Sequence, residues 1–207
     1  MLPYGASIEF RGLSLNAGAR LAAAPPRPKT RWVAYGDSIT QGFRASDVAH
    51  SYPFIVGQTK EWQVVNMGFG SRRATAADGK VLGGLQADIF TVAMGFNDFN
   101  NSKPLADYKT DLQGVLAGIR AAQPKVPVYF LTPLWSSRGP KDGRELEEYR
   151  KIVREVAAEA KDLNTRVIEG LALIPNEAKY FTDGIHPGDE GFSLMATELA
   201  KQLKLSP

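Results

Sequence analysis

Apolar runs that close on Gly, Asn or Pro recur along this chain at the interval of a strand followed by a helix, and that rhythm limits the folds open to it. The runs cover residues 32–35, 63–65, 88–94, 128–131 and 166–168, and helical periodicity fills residues 52–60, 105–123, 143–162 and 188–203 between and after them. Alternation of this kind predicts an α/β fold, a parallel sheet covered by helices on both faces. In the last helical stretch Phe192, Met195, Leu199 and Leu203 share one stripe, while Asp189, Glu190, Glu198 and Lys201 lie largely elsewhere. The stretch from Gly143 repeats the pattern with Leu146, Tyr149, Ile152, Val153 and Val156.

Residues 1–28 break the rhythm. Ser7 to Leu15 alternates at period two and Pro25-Pro26-Arg27-Pro28 makes a stiff linker, so the segment reads as a short β appendage of one or two strands, followed by a main domain over 29–207. Too short for its own core, the appendage is expected to pack on that domain or on another subunit, giving a homo-oligomer. Its removal is then expected to change melting temperature or assembly.

With 207 residues the chain has material for one core. Basic residues exceed acidic ones by 25 to 22 and are scattered, which speaks against a nucleic-acid footprint. Arg72-Arg73 is the nearest approach to a cluster and reads as solvated surface. The absence of cysteine excludes disulfides, thiolate metal sites and a cysteine nucleophile. No secretory signal pattern opens the chain and no run approaches the ~20 apolar residues of a membrane span, so a cytoplasmic protein is expected; a processed secreted form would read the same.

Three short motifs carry chemistry. Gly36-Asp37-Ser38-Ile39-Thr40 follows the first apolar run, which sets Ser38 at the carboxyl edge of the sheet, where open α/β folds bind ligands. A serine hydroxyl needs a base. The chain has two histidines, and His186 stands in Asp183-Gly184-Ile185-His186-Pro187, where a loop lets Asp183 curl back and orient the imidazole. His50 precedes Ser51-Tyr52-Pro53 and reads as a surface or capping residue without a carboxylate so placed, with Ser51 as helix cap. Asn97, in Gly95-Phe96-Asn97-Asp98 after the third run, offers an amide donor to a tetrahedral oxyanion.

These ordered blocks resemble the SGNH, or GDSL-type, serine hydrolases, a likeness that covers about residues 30–205. The resemblance implies a three-layer α/β/α sandwich with a central five-stranded parallel sheet of flavodoxin-like order. It also implies an oxyanion hole from the backbone N–H of Ser38, a backbone N–H of the second block and the side chain of Asn97. The second block, Asn66-Met67-Gly68-Phe69-Gly70-Ser71, departs from the family spacing: the glycine is expected five residues after the asparagine, where this chain has Ser71. Gly70 is preferred as the donor for its permissive backbone. Residues 8–28 are similar to the junction between β-sandwich and hydrolase domain in two-domain carbohydrate acetylesterases.

The expected activity is a serine esterase on short acyl esters, an acetyl group on a sugar in the first instance, with Ser38, Asp183 and His186 catalytic and no metal or organic cofactor. Alternatives are a lysophospholipase or thioesterase, for which Trp135 and Phe99 would line an acyl channel, and a non-catalytic ligand-binding module. Nucleotide binding is disfavoured: Phe43-Arg44 follow Gly42 where a phosphate loop needs Gly-Lys-Ser/Thr, and Arg73 stands at the third glycine of a dinucleotide fingerprint.

Overall fold

The structure, a computed structural model, describes residues 9–205. Five strands, β1 (Arg31–Gly36), β2 (Gln63–Gly68), β3 (Ile89–Ala93), β4 (Val128–Leu131) and β5 (Thr165–Ile168), form one sheet in the order β2-β1-β3-β4-β5 with every pairing parallel. This is the flavodoxin-like order, and it confirms the expected α/β class. Around the sheet lie α1 (Ser38–Gln41), α2 (Tyr52–Lys60), α3 (Asp78–Gly83), α4 (Phe96–Asn100), α5 (Leu105–Ala122), α6 (Leu146–Glu159) and α7 (Asp189–Gln202).

Side chains alternate across each strand, so the sheet separates two cores. Val33, Tyr35, Phe90, Val92, Val128 and Phe130 face the helices α3, α5 and α6. Trp32, Ala34, Ile89, Tyr129, Leu131 and Ile168 face α2 and α7. The four long helical stretches lie where periodicity puts them, 52–60 with the expected bounds and the other three trimmed at the ends. The stretch from Gly143 begins at Leu146, because Glu145 and Glu148 form a reciprocal capping box there. Ser51 does precede α2, but its hydroxyl makes no cap; it donates back to the Val48 carbonyl at 2.7 Å.

Three short helices, α1, α3 and α4, lie outside the periodic pattern. Of these α3 is the least expected, since three of the seven residues from Asp78 to Gly84 are glycine, poor helix formers. Packing overrides propensity. A Cβ on Gly79 would stand 2.4 Å from the Gly114 carbonyl oxygen, and one on Gly118 would stand 2.2 Å from the Gly79 carbonyl carbon. Helices α3 and α5 therefore meet backbone to backbone.

The appendage departs from expectation. Residues 9–28 form no strand and are exposed throughout, with Phe10, Leu13, Leu15 and Leu21 in solvent. The period-two pattern marks strand propensity that finds no partner among the described residues. Ser7 and Ile8, where the expected strand begins, lie outside the described residues.

Candidate active site

The sheet reverses its winding between β1 and β3, and the crevice at their carboxyl ends is where such a fold binds ligands. Gly36 ends β1 and Ala93 ends β3, paired in register, so Ser38 and Asn97 leave the sheet side by side. Asp37 caps α1 by accepting a 2.9 Å hydrogen bond from the Ile39 N–H, which fixes Ser38 as the first helical residue. Gly95 makes the turn into α4 at φ 127°, a left-handed value costly for any side chain, and a Cβ there would collide with the Tyr108 hydroxyl. Tyr108 donates in turn to the Met94 carbonyl at 3.0 Å.

The loop before α7 brings His186 onto Ser38. Ser38 Oγ lies 2.8 Å from His186 Nε2, and His186 Nδ1 lies 2.8 Å from Asp183 Oδ2. Asp183 Oδ1 accepts from the backbone N–H groups of His186 at 2.9 Å and Ile185 at 3.1 Å. Partial burial works against its charge, but the His186 N–H, the imidazole and the Ile185 N–H outweigh that and hold Asp183 down at about 2. The three residues singled out from the sequence thus form one continuous hydrogen-bonded chain.

His50 corrects one expectation and meets another. It does have a carboxylate, Asp47, at the same spacing as Asp183 from His186, with Asp47 Oδ1 at 2.9 Å. Ser46 Oγ stands near it too, at 3.1 Å, yet both partners share the single nitrogen Nδ1. A relay needs one partner on each ring nitrogen. The cluster is a half-exposed surface turn, as the reading of His50 as surface residue requires.

A groove of about 290 Å³ opens over Ser38 and is bounded by Gly70, Ser71, Asn97 and His186, with Phe43, Phe96 and Ile185 along its rim. Both second-block candidates reach it. The turn closes by an Arg72 N–H to Phe69 carbonyl bond of 3.1 Å, and its left-handed residue is Ser71, φ 61°. Gly70 has no positive φ, so a permissive backbone is not what places glycine there. A Cβ on Gly70 would lie 3.2 Å from Gln41 Oε1, a contact that the flexible glutamine side chain can relieve.

Asn97 Nδ2 donates to the Arg72 carbonyl at 3.1 Å and lies 3.4 Å from Asp37 Oδ2. Asp37 is fully buried, and that desolvation, with the charge of Asp98 nearby, pushes its carboxyl up to about 7 despite the Ile39 N–H. Asp98 is buried as well, 3.2 Å from the Lys103 ammonium. A cavity of about 30 Å³ behind Asp37 has room for one or two waters, not an acyl chain.

Sequence reasoning missed three neighbours. Phe43 meets the His186 ring edge-on at 4.9 Å, and Arg44 reaches Asp183 Oδ2 at 3.4 Å. Arg72, read as solvated surface, is ion-paired with Asp78. The aromatics offered for an acyl channel pack elsewhere, Phe99 on Tyr149 and Trp135 on Phe181. Among the described residues no group of three His, Asp or Glu could hold a metal, and no helix is long and apolar enough to cross a membrane.

The family model for GDSL-like lipases and acylhydrolases matches residues 34–194, a span that contains all three motifs. The chain belongs to the GDSL-like lipase/acylhydrolase family. Solved structures agree at the level of the fold. A salicylyl-acyltransferase from a tetracycline biosynthetic pathway shares 21% identity at TM-score 0.78 over 89% of this chain and 56% of its own. A GDSL-like lipase of Bacteroides ovatus shares 19% at 0.79 over 93% and 60%. A family two carbohydrate esterase of Clostridium thermocellum, solved with cellohexaose, shares 17% at 0.72 over 88% and 66%. This GDSL chain therefore spans less than two thirds of the length of each of the three. A comparison with curated proteins finds no match.

Proposed function

We propose that this protein is a serine esterase acting on short acyl esters, acetyl groups on carbohydrates foremost, through an acyl-enzyme. The observation that carries the reading is the chain from Ser38 Oγ through His186 to Asp183, each step 2.8 Å. Ser38 Oγ attacks the ester carbonyl while His186 Nε2 takes its proton, and Asp183 stabilises the resulting imidazolium. The oxyanion receives the Ser38 N–H, one of the donors that the start of a helix leaves unpaired, together with the Gly70 N–H and the Asn97 amide. The imidazolium then protonates the departing alcohol. Water, activated by the same imidazole, attacks the acyl carbon and releases the carboxylic acid and free Ser38.

Two features favour a short acyl group and hydrolysis. The groove over Ser38 is limited to about 290 Å³, and it is open enough to admit water to the acyl-enzyme. Support for a sugar substrate is the fold shared with the family two carbohydrate esterase.

The test compares p-nitrophenyl acetate, butyrate and octanoate with wild type and Ser38→Ala, folding being checked by circular dichroism. Ser38→Ala is expected to lose at least about 10³-fold in kcat, with acetate the best substrate of wild type. Equal activity of the two proteins would remove the mechanism, and a preference for octanoate would move the substrate to longer acyl chains.

A further inference from the structure

Asn97 can act on an oxyanion only if its amide group is held in place beside Ser38, and its own helix does not hold it. Helix α4 has five residues, and the Asn97 side chain leans on other elements. One proton goes to the Arg72 carbonyl at 3.1 Å, and the other to Asp37 Oδ2 by a longer contact of 3.4 Å. The location of that carbonyl is set by an assembly the esterase reading leaves unused.

The Arg72 guanidinium pairs with Asp78 Oδ1, lies 5.4 Å from the centre of the Tyr35 ring, and reaches the Tyr35 hydroxyl at 3.4 Å. Tyr35 closes the figure by donating to Asp78 Oδ2 at 2.5 Å. Each corner is anchored separately. Tyr35 is a buried residue of β1, three positions before Ser38. Asp78 opens α3, whose glycine contact with α5 leaves it no room to shift. Arg72 closes the Phe69–Arg72 turn that carries Gly70 and Ser71. The side-chain amide of Asn97 is therefore tied, through the Arg72 carbonyl, to a strand and a helix outside its own element.

We propose that Arg72, clamped by Asp78 and Tyr35, is the positioning residue for the Asn97 oxyanion donor, its carbonyl holding one amide proton and so fixing the direction of the other, which points to the Ser38 side of the amide and rests on Asp37 Oδ2. The proposal rests on the esterase reading, and Asn97 remains the group that meets the substrate. A solvent-exposed arginine would have no such role, and neither would a lysine, which lacks the planar fork that spans a carboxylate and a phenol together.

A double-mutant cycle tests it, with kcat and KM on p-nitrophenyl acetate and thermal melts on every variant. Asn97→Ala is expected to lower kcat by about 10²–10³-fold. Arg72→Met is expected to lower kcat about 10-fold with KM within twofold, and Tyr35→Phe, which keeps shape and fold, about 3-fold. In the Asn97→Ala background both losses should shrink to less than about twofold, because the group they position is gone. Equal losses in the two backgrounds, or no loss in wild type, would overturn the proposal while leaving the esterase reading standing. Full activity of Asn97→Ala would instead remove the oxyanion assignment, and the proposal with it. Should Arg72→Met not fold, Tyr35→Phe carries the same cycle.

Discussion

Asp37 keeps its carboxyl in a place that favours the neutral form, directly beside the proposed nucleophile. Its carboxyl is raised to about 7, against about 3.9 in an unfolded chain, so between those values the folded protein holds a proton that the unfolded chain has lost. Stability from this group is therefore greatest below pH 4 and falls as pH rises toward 7, by on the order of 3–5 kcal/mol for a shift of this size. Asp183 works oppositely. Lowered to about 2, it adds stability above the unfolded value and loses it as pH falls from about 4 to 2. Urea unfolding at pH 5 and pH 8 should show wild type losing more stability across that interval than Asp37→Asn, which still accepts from the Ile39 N–H. An identical loss in both proteins would mean that Asp37 is charged in the fold at pH 5. At this scale the sequence was readable wherever a motif fixes spacing: Ser38, His186 and Asn97 line one groove, and Asp183 joins them through His186. Arg72 was not readable, since its partners Tyr35 and Asp78 come from separate elements and nothing in Arg72-Arg73 distinguishes a clamp from a solvated pair. His50 shows the converse, a correct spacing that geometry disqualifies.

Among elements, α3 carries a load out of proportion to its six residues. Long helices and strands were legible because their periodicity extends over several turns, and the parallel sheet followed from alternation, while its order came only with the family resemblance. Helix α3 has too few residues to show a period and too many glycines to suggest a helix; only the approach of α5 explains it. That approach makes a sharp prediction. Gly118→Ala drives a methyl into the Gly79 backbone, which cannot rotate away as a side chain would, and overpacking of this kind costs about 1–3 kcal/mol. Differential scanning calorimetry should show a lower melting temperature for Gly118→Ala. On surfaces where helices stand farther apart, the same exchange raises stability through the unfolded chain. A melting temperature equal to or above wild type would place α3 farther from α5 than described here.

The whole molecule is a doubly wound sheet whose two cores meet only through the strands between them. The described part of the N-terminal arm adds nothing to either core. Replacing Phe10, Leu13, Leu15 and Leu21 together by Ser should leave the melting temperature within about 2 °C of wild type, as surface changes do. A larger fall would show the arm packed on the body. The sequence suggested strands here because period two is a local property, whereas a strand exists only when another strand pairs with it. The site, by contrast, depends on the entire topology. Ser38 and the histidine beside it are 148 residues apart, one at the first strand and the other just before the last helix. A growing chain thus exposes Ser38 long before His186 is made to pair with it. On the esterase reading, ester cleavage would accordingly report on completed folding.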